Sequence, residues 1–156
     1  MKKIVYSLLA VIVLSVSSCE KILDKTPMDF SPELTDYYNT PEKLDANLRS
    51  VYHSLQAYSL YGTLMHYRLG FEADEGYYAR SSPASGPHAN DFTSGHTDIN
   101  SFWRDLYVGI ARANNFIANV DANPAIDEEY RNKLRGEALF LRGYFYFMLV
   151  KTFGGV

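Results

Sequence analysis

The sequence predicts an all-α fold with one long irregular loop, and three observations carry that prediction. Apolar residues recur at helical spacing in three long segments. Two of those segments open on helix-start signals, at Thr40-Pro41 and at Asp127. The third observation is the stretch Gly70–Asp98, where glycines, prolines and serines break every period.

Thr40-Pro41-Glu42 places a capping hydroxyl, a proline at the first helical position and an acid in the first turn. Leu44, Leu48, Val51, Tyr52 and Leu55 follow on one face, so the helix is expected to run to about Ser59, before Gly62. A shorter helix is expected over Thr63–Phe71, with Leu64, Tyr67 and Phe71 on one side. Gly70–Asp98 then carries Gly76, Pro83, Gly86, Pro87 and Gly95. Structureless loops of such length are uncommon in compact domains and usually functional or disordered. Helical spacing resumes at Asp98 or Asn100, with Ile99, Phe102, Trp103, Leu106, Tyr107, Ile110, Ala113, Ile117 and Val120 in one stripe. After a short connection with Pro124, Asp127-Glu128-Glu129 opens the last helix, with acids at the positive end of its dipole. Its main stripe is Leu134, Ala138, Leu141, Phe145, Met148 and Leu149. Phe140, Tyr144 and Phe147 widen it, so this helix is expected to be central, and Gly154-Gly155 ends it. Its apolar circumference asks for neighbours that are not here. The chain is therefore expected to be the N-terminal piece of a longer protein; a small lipoprotein that dimerises through this helix is the other reading.

The N-terminus sets the compartment. Met1-Lys2-Lys3 is basic, Ile4–Val16 is largely apolar, and Ser17-Ser18 are small. That is a secretory signal peptide, too short for a membrane span of about 20 residues. Val16-Ser17-Ser18-Cys19 resembles a bacterial lipobox, which makes residues 1–18 a lipoprotein signal peptide and Cys19 the acylated first mature residue. Cys19 is the only cysteine, so it has no internal disulfide partner, and an odd cysteine in an exported protein needs such an explanation. Acyl chains contribute about 0.8 kcal/mol per buried methylene, and stable anchoring takes more than one chain. Residues 19–39, broken by Pro27 and Pro32, read as the tether of that anchor, and residues 40–156 as the helical domain. The membrane is expected as a partner through the lipid alone.

Hydrophobic residues make up 47% and charged ones 21%, a globular balance without a disorder signature. Losing Lys2 and Lys3 with the signal takes the formal net charge from −3 to −5, which argues against nucleic acid as a partner. The 13 tyrosines suit a protein that binds amphipathic ligands, because the ring packs while the hydroxyl stays wet.

Two segments carry a family resemblance. Trp103-Arg104-Asp105-Leu106-Tyr107-Val108-Gly109-Ile110-Ala111-Arg112-Ala113-Asn114 is similar to the pattern W-x-x-L-Y-x-x-I-x-x-A-N. Arg135-Gly136-Glu137-Ala138-Leu139-Phe140-Leu141-Arg142-Gly143-Tyr144-Phe145-Tyr146 is similar to R-x-E-A-x-F-L-R-A-x-x-Y, with glycines at 136 and 143 where small residues, often alanine, are usual. Both resemble the N-terminal domain of the SusD/RagB family of outer-membrane nutrient-uptake lipoproteins, and Glu72-Ala73-Asp74-Glu75 resembles that family's acidic patch. The resemblance implies tetratricopeptide-like helix pairs with long loops, in a protein of several hundred residues. It implies a non-catalytic, surface-exposed lipoprotein that binds glycans or other oligomeric nutrients and caps a SusC-like TonB-dependent transporter. A helical-repeat scaffold that holds another protein is the alternative, and a glycoside hydrolase accessory a lesser one.

No enzyme is legible. Asp74 and Glu75 are adjacent, whereas glycosidase carboxylates face each other about 5 to 9.5 Å apart from different elements. They are read as a capping or salt-bridging patch. His96 with Asp98, and His88 with Asp91, have no third ligand at suitable spacing, so no metal and no cofactor is expected. Ser82, Ser85 and Ser94 lack a nucleophile elbow. Trp103 lies on the apolar stripe and is assigned to the core. Arg135 and Arg142 are expected to edge the last helix in structural ion pairs or on carbonyls. Tyr77, Tyr78, Arg80, Asn90 and Phe92 are the candidate ligand-binding residues, because they sit in the long loop.

Overall fold

The computed structural model describes residues 37–67 and 86–156. The signal-like segment, Cys19 and most of the tether lie outside them, as do Tyr77, Tyr78, Arg80 and the acidic patch at 72–75. The described residues are all-α, arranged in the tetratricopeptide-like manner of helix packed on helix. They form α1 (Pro41–His53), α2 (Leu64–Tyr67), α3 (Thr97–Asn119) and α4 (Glu128–Phe153). None of these is long and apolar enough to cross a membrane.

α1 starts as its sequence dictates. Thr40 is extended, Pro41 follows, and the Lys43 N–H donates to the Thr40 hydroxyl at 3.3 Å. Its end comes earlier than expected. Regular helix stops at His53, a tight turn covers Ser54–Gln56, and Ala57 turns out to ψ 144°. Leu60, at φ −98° and ψ −129°, breaks the next turn too. The apolar spacing continues through Leu55, but Arg112 of α3 fixes the stop. Its guanidinium donates to the Ser50 carbonyl at 3.2 Å and the Ser54 hydroxyl at 3.0 Å, satisfying an acceptor at the negative end of the helix.

α3 begins at Thr97, with the His96 imidazole accepting from the Asp98 N–H at 3.2 Å. α4 begins as expected, with the Asp127 carboxylate accepting from the Tyr130 N–H at 2.9 Å, and ends at Gly154 with φ 85°. The two helices run antiparallel. At their connection Asp121 pairs with both Arg131 and Arg135. At their far end Phe102 meets Phe153, with centroids 6.2 Å apart. Midway, Gly109 lies under the Phe145 ring; a Cβ there would stand 2.6 Å from the ring tip. The arginines flanking α4 do structural work as expected: Arg135 pairs with Asp121, and Arg142 donates to Asn114 at 3.0 Å.

The core lies where α1 crosses this hairpin. α1 contributes Leu44, Leu48 and Val51; α3 contributes Phe102, Leu106, Ile110, Ala113 and Phe116. All six main-stripe residues of α4 are buried with them. Each full-size apolar side chain so buried contributes about 1.5–3 kcal/mol. The entry to α1 is fastened to the same hairpin. Tyr38 is buried against Phe116, with its hydroxyl accepting from Asn115 at 3.3 Å, and Asn123 donates to the Asn39 carbonyl at 2.9 Å. Burial holds the Tyr38 phenol above its ordinary pKa.

α4 is buried on one side only. Phe140 is 71% exposed and Phe147 61%, with Leu139, Tyr146 and Val150 exposed beside them.

Candidate ligand cleft

A cleft of about 890 Å³ opens between the start of α3, the end of α4 and the segment 87–94. Its size falls in the range of small-molecule sites. Met65 and Met148 supply adaptable apolar lining. Trp103 and Phe153 stand edge to face, with centroids 4.8 Å apart at 87°, and Tyr107 lies 5.0 Å from the indole on another side. Such pairs hold ring orientation better than area burial alone. Phe92 is 49% exposed at the same cleft, and Ser94, Asn100, Lys151 and Thr152 add polar groups to its wall. The cleft therefore offers aromatic faces with hydrogen-bonding groups beside them.

Trp103 is a correction to the sequence reading. It is 39% exposed and lines the cleft, although its spacing placed it with the core. The stripe of α3 is covered from Phe102 inward. At the helix's first turns the indole packs on Phe153 and Tyr107 and keeps 39% of its surface exposed at the cleft.

The loop that carries Asn90 and Phe92 is locally built. The Gly86 N–H donates to the Asp91 carbonyl at 2.7 Å, and the Asp91 N–H returns to the Gly86 carbonyl at 3.2 Å. Between them Asn90 adopts the left-handed conformation, φ 52° and ψ 26°, which asparagine tolerates better than most residues. Asn90 is exposed at the tip and does not line the cleft, whereas Phe92, two residues on, does. The structure thus joins Phe92 to Trp103, Phe153 and Lys151, none of which the sequence reading placed in a site. A signal for Phe153 existed: an aromatic in the last turn before Gly154-Gly155 ends where the helix can no longer bury it.

The other polar clusters are structural ties. In a groove of about 260 Å³ between α1 and α4, the Tyr52 hydroxyl donates to Glu137 at 3.0 Å and the Tyr130 hydroxyl to Asp45 at 2.8 Å. Burial first, then Glu137, raises the Tyr52 pKa; the bond to Asp45 first, then burial, raises that of Tyr130. Tyr61 and Tyr144 share a hydroxyl–hydroxyl bond, and burial with that bond pushes Tyr144 up to about 12. Both carboxylates of the groove thus accept from neutral phenols. Among the described residues no three His, Cys, Asp or Glu side chains cluster as metal ligands would.

Fold and cleft together define a class, all-α proteins of tetratricopeptide-like helix packing with an aromatic cleft at one end of a helix pair. A family profile described as "Starch-binding associating with outer membrane", SusD-like, matches residues 21–156, and the chain belongs to that SusD-like family. The chain is also similar to "SusD-like protein P2" of Formosa agariphila, with 28% identity over an alignment of 152 residues that covers 94% of this chain. It spans 29% of the length of that relative. No solved structure matches it.

Proposed function

We propose that this chain is the N-terminal part of a surface lipoprotein, anchored in the outer membrane through acylated Cys19. It binds glycan or another oligomeric nutrient without catalysis and passes it to a SusC-like TonB-dependent transporter. Residues 1–18 are the signal, 19–39 the tether and 40–156 the first helices of the domain. One observation carries the reading: an aromatic, polar-edged cleft in a chain whose family is described as starch-binding. A pyranose ring sets its C–H face on an aromatic ring while its hydroxyls reach polar side chains. Phe92 and Trp103 supply rings, and Ser94, Asn100 and Thr152 supply polar partners. Tyr77, Tyr78 and Arg80, outside the described residues, and Asn90, at the loop tip, are proposed as further ligand contacts from their place in the long loop of the sequence. Few contacts of this kind give weak binding, on the order of micromolar to millimolar Kd.

Calorimetry of the full-length protein with soluble starch oligosaccharides and other glycans tests this. Phe92→Ala is the informative variant, because Phe92 is half exposed. We expect a loss of affinity of about tenfold, or about 1.4 kcal/mol, at unchanged Tm. Unchanged affinity would remove Phe92 from the site, and glycan hydrolysis by the pure protein would make it an enzyme. The anchor is checked in the same preparation by feeding a clickable fatty acid to the native protein and to Cys19→Ser. Label in the native protein only is expected; equal membrane retention of both would discard lipidation.

A further inference from the structure

The outer face of α4 is a seam without a neighbour among the described residues. Gly136, Phe140, Gly143, Phe147 and Val150 follow one another at spacings of 4, 3, 4 and 3, the repeat of a helix face that packs along another helix. No member of the seam carries a charge, and Leu139 and Tyr146 widen it. The two phenylalanines are the most exposed phenylalanine side chains of the described residues, at 71% and 61%. The glycines are equally unexplained by the present neighbours. Gly109, on the inner side of the hairpin, is required by Phe145, but a Cβ on Gly136 or Gly143 would meet nothing within 4 Å. Glycine weakens a helix interior, so two of them seven residues apart, alternating with two phenylalanines, form a row of knobs and recesses shaped for close approach.

We propose that this face is covered by an apolar helix from the same polypeptide, supplied by the part that follows Val156 in the full-length protein. Bulky side chains of that helix fill the recesses over Gly136 and Gly143, between the rings of Phe140 and Phe147. The matched relative is more than three times as long as the region it shares with this chain, so there is polypeptide to provide such a helix. Stacked helix pairs bury their remaining faces against the next pair, not within themselves. A contiguous apolar strip left in water would instead drive association.

The test uses the full-length protein in a background with Cys19→Ser and no other thiol. Phe147→Cys is compared with Glu129→Cys, an exposed position in the first turn of α4, for its rate of reaction with a maleimide. We expect labelling at 147 to be at least a hundredfold slower than at 129, and equally slow across a wide range of protein concentration. Equal rates would overturn the proposal, because the face would be bare. Protection lost on dilution, or a disulfide-linked dimer of Phe147→Cys, would overturn it in favour of a second copy. Gly143→Ala gives an independent reading by sign. On a bare face alanine raises Tm, because it favours the helix. Under a packed helix it lowers Tm, and Gly143→Leu lowers it further. A rise in Tm would overturn the proposal even if the cysteine variant failed to fold.

Discussion

Phe145→Ala should lower the unfolding free energy by about 3–5 kcal/mol, the usual cost of emptying a fully buried aromatic site. Phe145 is 0% exposed and sits at the middle of the α3–α4 hairpin, over Gly109. The void it leaves cannot collapse easily, because Gly109 has no side chain to move into it and both helices are regular there. A loss of this size is a large share of a typical domain's stability. Urea unfolding of the full-length protein, followed by helical circular dichroism, measures it. A loss under about 1 kcal/mol would mean that Phe145 is not the centre of this packing.

The complementary change is Gly109→Val, which adds volume where Phe145 needs none. A Cβ at 109 would meet three atoms of the ring at 2.6, 2.7 and 2.9 Å. Overpacking of this kind costs about 1–3 kcal/mol. The better helix propensity of a non-glycine residue offsets about half a kcal/mol of that. The strain is specific to one neighbour, so Gly109→Val combined with Phe145→Leu should be less destabilised than the two single losses predict. The coupling should fall at about 0.5–3 kcal/mol, the range for residues in contact. Additive losses would show that Gly109 is required by something other than that ring.

Much of the fold was legible because its signals are local. The starts of α1 and α4 are read from Thr40-Pro41 and Asp127, whose side chains cap within three residues, and each forms the expected bond. The stripe Leu134, Ala138, Leu141, Phe145, Met148 and Leu149 is buried throughout, because a 3.6-residue period needs only one neighbouring surface to be satisfied. What failed to be legible depends on residues distant in sequence. The apolar spacing of α1 runs on through Leu55, but the helix stops where Arg112, some sixty positions away, takes the Ser50 carbonyl and the Ser54 hydroxyl. Periodicity placed Trp103 on the correct face of α3 without telling whether a neighbour reaches that far along the helix. The candidate site was legible only as a loop of suitable composition. Phe92 belongs to the cleft, while Asn90 is explained by its left-handed backbone at the tip, a role its residue type allowed but did not announce.

The short link between α3 and α4 bears on the order in which the chain assembles. Asp121 closes onto Arg131 and Arg135, only 10 and 14 residues away, and the hairpin can then zip outward toward Phe102 and Phe153 in small steps. Each step closes a loop little larger than the last, so its entropy cost grows slowly. α1 has no such gradual route. Its nearest fixed partners, such as Arg112 for Ser54 and Asn115 for Tyr38, are 58 and 77 residues away and require α3 to be in place. The folding nucleus should therefore be the hairpin tip, with α1 docking after the main barrier. Substitutions at Val120 or Leu134 should slow folding, whereas Leu44→Ala should chiefly speed unfolding. Stopped-flow kinetics that showed the reverse would place α1, not the hairpin, in the nucleus.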